Sequence, residues 1–343
     1  MQHSYSYRIE VLRNGARVTE LQAVNPPKIT FNAGATIKSG LSGEFKYSPE
    51  LDPINDEIKA WQIIDGEESP AGVFSVGVLV DNYSDTVHTI KIEAYDRAFL
   101  LQSIRTENIM HLAARSNYIE VIKTLLAKAG ISLYTAAPTT STLSTDREDW
   151  EMGTDYLTII NDLLREINYE NIWFDANGYA KLLPVKNPDA GDIKRAYDSD
   201  TAVSLLSPAC QSELDIYDKP NVFVAVCSNP DNDKPMTATA INNSPLSSLS
   251  VLKRNRRIVQ VLKVDNIADQ KALNEYVQRL CNDSMMSSET VTIRTSPVSA
   301  PGLNDTVALY YADISGVYQE TSWSLTMQPG ASMTHTLRRS VLV

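Results

Sequence analysis

The sequence is poor in the residues that usually mark phosphate, metal and disulfide sites. Its 343 residues include 14 glycines, 4 histidines and 3 cysteines. No Walker loop, GxGxxG fingerprint or GxSxG elbow is present, which argues against phosphate-cradling and serine-hydrolase chemistry. Cys210, Cys227 and Cys281 are widely spaced, with no CxxC pair and no neighbouring histidine. We therefore expect buried, reduced thiols and neither a zinc site nor a disulfide framework.

The histidines are too scattered to predict a metal or catalytic centre. His3, His88, His111 and His335 stand apart, and none belongs to an HExxH motif. His88 and His335 fall in predicted strands, where we interpret each as a structural imidazole on a half-exposed face. The sequence thus predicts no enzyme, no cofactor, no metal ligand and no catalytic residue.

Long apolar runs and positive charge are also scarce. No run approaches the ~20 residues needed to span a bilayer, and Met1–Val11 lacks the pattern of a signal peptide. We expect a soluble protein made in the cytoplasm, without membrane insertion. The net charge of −11 repels nucleic-acid phosphate, although an acidic conduit could let DNA slide past.

Residues 1–97 are predicted to form a first small β-barrel domain. Asn14-Gly15 is a strong short hairpin signal, and it lies between the strands predicted at Tyr7–Leu12 and Arg17–Leu21. Short strands at this spacing favour a small barrel or sandwich. The further predicted strands are Lys28–Phe31, Gly43–Tyr47, Ile58–Ile64, Val73–Val80 and Thr86–Ala94.

Residues 98–200 change to a helical period and are predicted to be an α+β insert domain. One amphipathic helix is predicted over Asn117–Ala129, with Asn117 as N-cap, and a second over Thr154–Ile167, with Thr154 as N-cap. The ranges 172–174 and 180–185 flank Asn177-Gly178 and predict a hairpin.

Residues 201–343 return to β structure and are predicted to form a second β-barrel domain with one helix, 268–281, inserted between its strands. The fold class is therefore α+β, with two small tube-like β-barrels flanking an α+β insert. Residues 188–219 are poorly patterned. The predicted strands are Asn221–Cys227, Arg257–Val264, Thr290–Thr295, Val307–Tyr311, Tyr318–Thr326 and Thr334–Val341.

A weak internal echo bears on whether the two β regions are copies. Gly72-Val73-Phe74-Ser75 precedes His88-Thr89-Ile90-Lys91, and Gly316-Val317-Tyr318-Gln319 precedes His335-Thr336-Leu337-Arg338. The echo indicates either a duplicated barrel or a chance match between two hairpins.

Two charged clusters were weighed as sites. The acidic residues Glu148, Asp149 and Glu151 surround Trp150, but they lie in a loop that enters a helix, where negative charge suits the helix dipole. The basic run Lys253–Arg257 lacks the interleaved aromatics of a nucleic-acid site. It favours a solvated strand edge or a contact with an acidic neighbouring subunit.

The order of these elements resembles the tail hub, or baseplate hub, proteins of tailed phages, prophages and phage-tail-like bacteriocins. The segments Glu57–Trp61, Gly72–Phe74 and Ile90–Asp96 look like that family's first barrel, followed by a short helix at Ala98–Ser103. The segments Tyr118–Gly130, Trp150–Leu164 and Trp173–Leu183 resemble its second domain, and Pro301–Val307 is similar to the turn before its final strands.

The resemblance implies a structural role in the virion tail. Hubs of this class are similar to trimeric rings, in which two barrels per subunit match a hexameric tail tube on one side and a spike or tip protein on the other. It implies a homotrimer, contacts with tail tube, spike and baseplate or tape-measure proteins, and DNA passing without specific binding. The alternatives are a tail-associated cell-wall hydrolase that uses Glu148, Asp149 or Glu151, and a receptor- or carbohydrate-binding tail protein.

Overall fold

The computed structural model describes residues 4–84, 86–186, 190–199, 206–217, 219–227, 235–264, 267–286, 289–311 and 314–339. The strands are β1 (Tyr5–Arg13), β2 (Ala16–Glu20), β3 (Ala23–Asn32), β4 (Ser39–Lys46), β5 (Glu57–Ile64), β6 (Glu67–Tyr83), β7 (His88–Tyr95), β8 (Tyr134–Ala136), β9 (Trp173–Phe174), β10 (Ala180–Leu182), β11 (Arg195–Asp198), β12 (Leu206–Leu214), β13 (Val222–Cys227), β14 (Met236–Ile241), β15 (Val259–Val264), β16 (Glu289–Thr295), β17 (Thr306–Tyr310), β18 (Gly316–Thr326) and β19 (Met333–Arg339). The helices are α1 (Ala98–Ser103), α2 (Tyr118–Lys128), α3 (Tyr156–Glu166), α4 (Val251–Arg254) and α5 (Gln270–Met286).

The N-terminal and C-terminal β regions belong to one sheet. Within the described residues its strand order is β12-β16-β19-β18-β3-β4-β7-β6-β5-β1-β2, with β17 paired to β18 and β11 parallel to β17. The two regions join where β3 pairs with β18, which places Phe31 opposite Trp323. Their rings stack with centroids 6.0 Å apart. The fold is therefore α+β and mainly antiparallel, with hydrogen bonds linking the two predicted β regions.

The hairpin signal at the start of the chain is confirmed. Asn14 and Gly15 have φ values of 52° and 78°, which a two-residue turn between β1 and β2 requires. Glycine and asparagine tolerate this left-handed region better than other residues. The strands predicted for β3 to β7 are also found, and their buried side chains alternate with exposed ones along β7.

Two separate hydrophobic cores lie against the large sheet. The first contains residues from β1, β3 to β7 and the C-terminal strands, including Phe45, Phe74 and Trp323. The second is smaller and is formed by Tyr197, Val291, Ile293, Val307, Leu309, Tyr318 and Leu337. The C-terminal strands thus contribute to both cores.

The middle of the chain forms an α+β unit with its own core. Asn117 caps α2 as predicted, because its side chain accepts from the amides of Ile119 and Glu120. The predicted cap of α3 is one residue too early: Asp155 accepts from Thr158, whereas the Thr154 hydroxyl donates to the Glu151 carbonyl. The predicted β9–β10 hairpin is present, and β8, which was not predicted, pairs with β10 in parallel.

The strands at 222–227 and 259–264 lie in a different sheet from the C-terminal strands with which they were grouped. They pair in parallel as β13 and β15, and β14, which was not predicted, completes a three-stranded sheet in the order β14-β13-β15. Helix α5 packs on one face of this sheet and shares a core with it. The helix begins two residues later than predicted, after Asp269 accepts from the amide of Ala272.

Among the described residues, no helix is both long and apolar enough to span a membrane.

Candidate functional site

The acidic loop that was weighed as a hydrolase site is solvent-exposed. Glu148 Oε1 lies 3.1 Å from Nδ1 of the exposed His111 ring, and Asp149 pairs with Arg147. Glu151 contributes its backbone carbonyl to hydrogen bonds from Thr106 and Thr154. Each acidic side chain is thus exposed at the surface, Glu148 beside an imidazole and Asp149 beside a guanidinium, in an arrangement that suits a loop entering a helix.

A buried ion pair lies directly behind this loop. Arg147 donates Nη1 and Nη2 to the two carboxylate oxygens of Glu166, at 2.8 and 2.9 Å, and both side chains are 8% exposed. The Tyr118 hydroxyl donates to the same carboxylate at 2.8 Å. Burial, followed by the Glu166 charge, raises the pKa of Tyr118. This network ties the loop to α2 and α3. Sequence reasoning missed it because Tyr118 and Glu166 are 48 residues apart.

A hydroxyl, an imidazole and a carboxylate also line up inside the C-terminal sheet. Thr295 Oγ1 lies 2.8 Å from His335 Nε2, and His335 Nδ1 contacts Glu320. Thr295 Oγ1 also lies 2.7 Å from the Ser296 carbonyl, to which the hydroxyl can donate. All three side chains are buried, and they bind β16, β18 and β19 together.

The predicted structural histidines occupy different environments. His335 is fully buried, not half-exposed as predicted. His88 lies near the β6–β7 turn, where its ring stacks between Tyr47 and Tyr83 at centroid distances of 3.9 and 4.2 Å. Its Nε2 lies 2.9 Å from an Asp81 carboxylate oxygen. The positions of these two histidines within their hairpins give the sequence echo no support.

The three cysteines are thiols and form no disulfide with one another. Cys227 and Cys281 are buried in the core beneath the small sheet, and Cys210 is partly buried on β12. Burial raises the pKa of the Cys281 thiol to about 11. Within the residues that the structure describes, no group of histidine, cysteine and acidic side chains has the arrangement of a metal site.

Within the described residues, the main strand order of the large sheet ends at β2 and β12, and β11 is a further terminal strand beside β17. β2 is hydrogen-bonded to β1 at one end of the strand order, and β12 is hydrogen-bonded to β16 at the other. An unpaired strand edge offers rows of amide and carbonyl groups to another chain. These two edges are therefore candidate assembly surfaces, and they lie in the N-terminal and C-terminal β regions respectively.

A third candidate assembly surface is the β-arm, which we define as the part of β6 beyond Ser75, residues 76–83. Here β6 pairs with β7 but no longer with β5, so its other side is an open strand edge, while β7 remains paired with β4. The β-arm exposes apolar side chains, among them Val78, Val80 and Tyr83, the last of which is 76% exposed. Clustered apolar side chains at a surface favour a protein contact.

A polar cavity of about 430 Å³ lies where the first β region, the middle unit and α5 meet. Its lining includes Lys38, Glu170, Arg279, Asp283 and Arg338. Side chains of both charge signs line the cavity, so it is better suited to ordered water between packed units than to an apolar ligand.

No model of a known protein family matches the sequence. No curated protein sequence matches it significantly either.

Solved structures match nearly the whole chain. The tail protein from Neisseria meningitidis MC58 has a TM-score of 0.68 at 13% identity, with 97% of each chain covered. The 43 kDa tail protein of prophage MuSo2 from Shewanella oneidensis has a TM-score of 0.66 at 12% identity, covering 97% of this chain and 98% of that one.

A third match comes from a secretion machine. The c3393 protein of E. coli, a component of the type VI secretion system with structural similarity to the T4 tail proteins gp27 and gp5, has a TM-score of 0.52 at 9% identity. The alignment covers 97% of this chain and 77% of that chain. The chain therefore has the fold of these phage and prophage tail proteins.

Proposed function

We propose that this chain is a structural hub subunit of a phage or phage-tail-like particle, joining the tail tube to the tip as a trimeric ring and conduit. The observation that carries the proposal is the likeness to tail proteins along almost the full length of the chain. Fold does not by itself assign function, so the assembly surfaces must bear the proposal.

The two β regions are proposed to act as two tube-like barrel units. One core lies beneath the N-terminal strands and includes Trp323, a second lies within the C-terminal strands, and the β3–β18 pairing holds the two regions side by side. Three such chains would present six similar units to a hexameric tail tube, which removes the mismatch between threefold and sixfold symmetry. In this arrangement residues 1–97 and 201–343 belong to the ring and 98–200 is the domain between them, although β11 at the end of that range pairs with β17 of the large sheet.

The ring would be completed by the open edges of the large sheet. The β2 edge of one subunit and the β12 edge of the next are different surfaces, so their contact is heterologous and closes into a ring only at a fixed rotation. The proposed location is the virion tail, after synthesis in the bacterial cytoplasm. The proposed partners are tail tube, spike or tip, and baseplate or tape-measure proteins, with DNA passing through without specific binding.

The proposed role needs no catalytic residue. The acidic side chains of the loop are exposed, and Thr295, Glu320 and His335 are buried inside the sheet, away from any substrate in solvent. The cell-wall hydrolase therefore ranks second. A receptor- or carbohydrate-binding role ranks third, because Trp150 and Trp323 are buried and Trp61 and Trp173 are only partly exposed.

Light scattering coupled to size-exclusion chromatography tests the ring. We expect a mass of about 114 kDa, three times the 38.0 kDa of one chain. Val18→Lys places a charge on the exposed β2 edge and should shift the protein toward the monomer. Ile109→Lys adds the same charge at an exposed loop position outside the sheet and serves as the control.

A monomer at high concentration that also fails to bind tail tube protein would contradict the hub. A peptidoglycan zymogram tests the hydrolase separately. We expect no clearing, and clearing that disappears in Glu148→Gln and Glu151→Gln would replace the structural proposal with the enzymatic one.

A further inference from the structure

The small sheet of β14, β13 and β15 has one covered face and one open face. Helix α5 packs on the face formed by Phe223, Ala225 and Cys227. Side chains alternate across a strand, so Val222, Val224 and Val226 point to the opposite face. Val224 and Val226 are only partly buried there, and Thr237 and Thr239 of β14 are exposed beside them.

The edge of this sheet at β15 is regular and apolar. β15 pairs with β13 over six consecutive residues without a bulge, and β13 lies between it and β14. Val259 and Val261 are 53% and 64% exposed and lie on the open face, in register with Val222 and Val224. Most proteins protect an exposed edge with a bulge, a proline or a charge at its centre. Here the centre of the strand carries none of these.

Basic side chains flank the two valines on the same face. The alternation that places Val259 and Val261 on the open face also places Lys263 there, and the exposed Arg257 lies two residues before Val259, where an extension of the strand would continue the same face. Both basic residues are exposed, and residues 251–264 contain five basic residues and no acidic one in a chain of net charge −11. The open face at β15 thus presents a basic–apolar–apolar–basic stripe, Arg257-Val259-Val261-Lys263.

This charge pattern disfavours a second copy of the same edge. Two β15 strands paired antiparallel about a twofold axis, centred on Gln260, would set Arg257 of each copy opposite Lys263 of the other. Like charges directly across a strand pair destabilise it. A complementary strand needs acidic residues at both ends and apolar residues between them.

We propose that β15 is a docking edge for an extended acidic segment of a partner protein, which adds as a fourth strand to the small sheet. Backbone hydrogen bonds to the β15 edge would supply most of the affinity, as in other cases of strand addition. Apolar side chains of the partner would cover Val259 and Val261, and its carboxylates would pair with Arg257 and Lys263. The proposal is independent of the ring, which uses the edges of the large sheet.

Fluorescence anisotropy with two synthetic peptides tests the proposal on the full chain. The probe Glu-Thr-Val-Thr-Val-Thr-Glu matches the stripe, and Lys-Thr-Val-Thr-Val-Thr-Lys keeps the apolar residues but reverses the charge. We expect the acidic probe to bind, and to bind more tightly than the basic one. The Arg257→Glu/Lys263→Glu double variant should weaken the acidic probe by about tenfold. Lys271→Glu/Lys128→Glu makes the same change in net charge at exposed helix positions and should have little effect.

Hydrogen exchange then separates strand addition from a loose electrostatic contact. The acidic probe should slow amide exchange in β15, while amides of β14 at the other edge keep their rates. Equal binding of both peptides, or slowed exchange elsewhere only, overturns the proposal. So does tight binding of labelled duplex DNA without binding of the acidic probe, since the basic stripe would then serve phosphate.

Discussion

Removing the carboxylate of Glu166 should destabilise the middle unit, because Arg147 would keep its charge in a buried site. Burial lowers the pKa of Arg147, but hydrogen bonds and charge from Glu166 and Asp149 outweigh it and the pKa is raised overall. In Glu166→Leu the guanidinium loses both charge-assisted bonds, and the Tyr118 hydroxyl loses its acceptor.

The expected loss follows from what remains after this substitution. Breaking a buried ion pair by removing one partner costs about 3–5 kcal/mol. Asp149 still accepts from Arg147 Nε, so we expect the lower end, about 3 kcal/mol. Replacing both members, in Arg147→Met/Glu166→Leu, removes the unpaired charge. That double variant should lie within about 1 kcal/mol of the original protein.

Amide hydrogen exchange measures this effect where it occurs. Exchange in α2 and α3 should accelerate in Glu166→Leu and return close to the original rate in the double variant, while strands of the large sheet serve as an internal reference. Urea unfolding followed by tryptophan fluorescence gives the free energy, and Trp150, whose ring lies 5.0 Å from the Arg147 guanidinium carbon, is one of the four tryptophans that contribute to the signal. A stability loss below about 1 kcal/mol in Glu166→Leu would refute the reasoning. So would a double variant that is less stable than Glu166→Leu.

Three further predictions concern the polar side chains of Gln62, Asn117 and Asp96. Gln62→Met should stabilise the protein by about 1–2 kcal/mol in urea unfolding, since both amide atoms of Gln62 are buried without a hydrogen-bond partner among the described residues; a destabilised variant would contradict this. Asn117→Ala removes the cap that accepts from Ile119 and Glu120, and should cost about 1–2 kcal/mol, measured as faster exchange in α2; unchanged exchange would argue against the cap. Burial raises the pKa of Asp96, so ionisation of this carboxyl group opposes folding. The carboxyl group stabilises the fold most at pH values below its unfolded pKa, near 4, and this stabilisation is lost as the pH rises toward the folded pKa. The unfolding free energy of the original protein relative to Asp96→Asn should therefore decrease as pH rises through this range, and an increase would invalidate the assignment.

Local chemistry accounts for what the sequence predicted well. The Asn14-Gly15 turn, the Asn117 cap and the alternating residues of β7 are each set by neighbours in the chain, so one sequence contains their signal. The short helix Ala98–Ser103 was expected from the resemblance to tail hub proteins, and it has the same bounds in the structure.

Pairings between distant segments were not predictable from one sequence. The β3–β18 pairing, the parallel β8–β10 pair and the separate sheet of β13 to β15 all join segments whose patterns fit other partners equally well. The Arg147–Glu166 pair was missed for a related reason, because a buried ion pair and an exposed one look alike in sequence. The exposed stripe on β15 likewise depended on which face α5 covers.

The β3–β18 junction has a consequence for the order in which the molecule is built. Asn32 and Ser322 are about 290 residues apart, and they pair with each other. Such distant pairings form late, because a long loop must close first. Until the ribosome has released the last strands, Phe31 lacks its stacking partner Trp323, and the β3 edge lacks its hydrogen bonds to β18. Growing chains therefore expose an unpaired β3 edge during synthesis, and such edges are where incomplete chains aggregate.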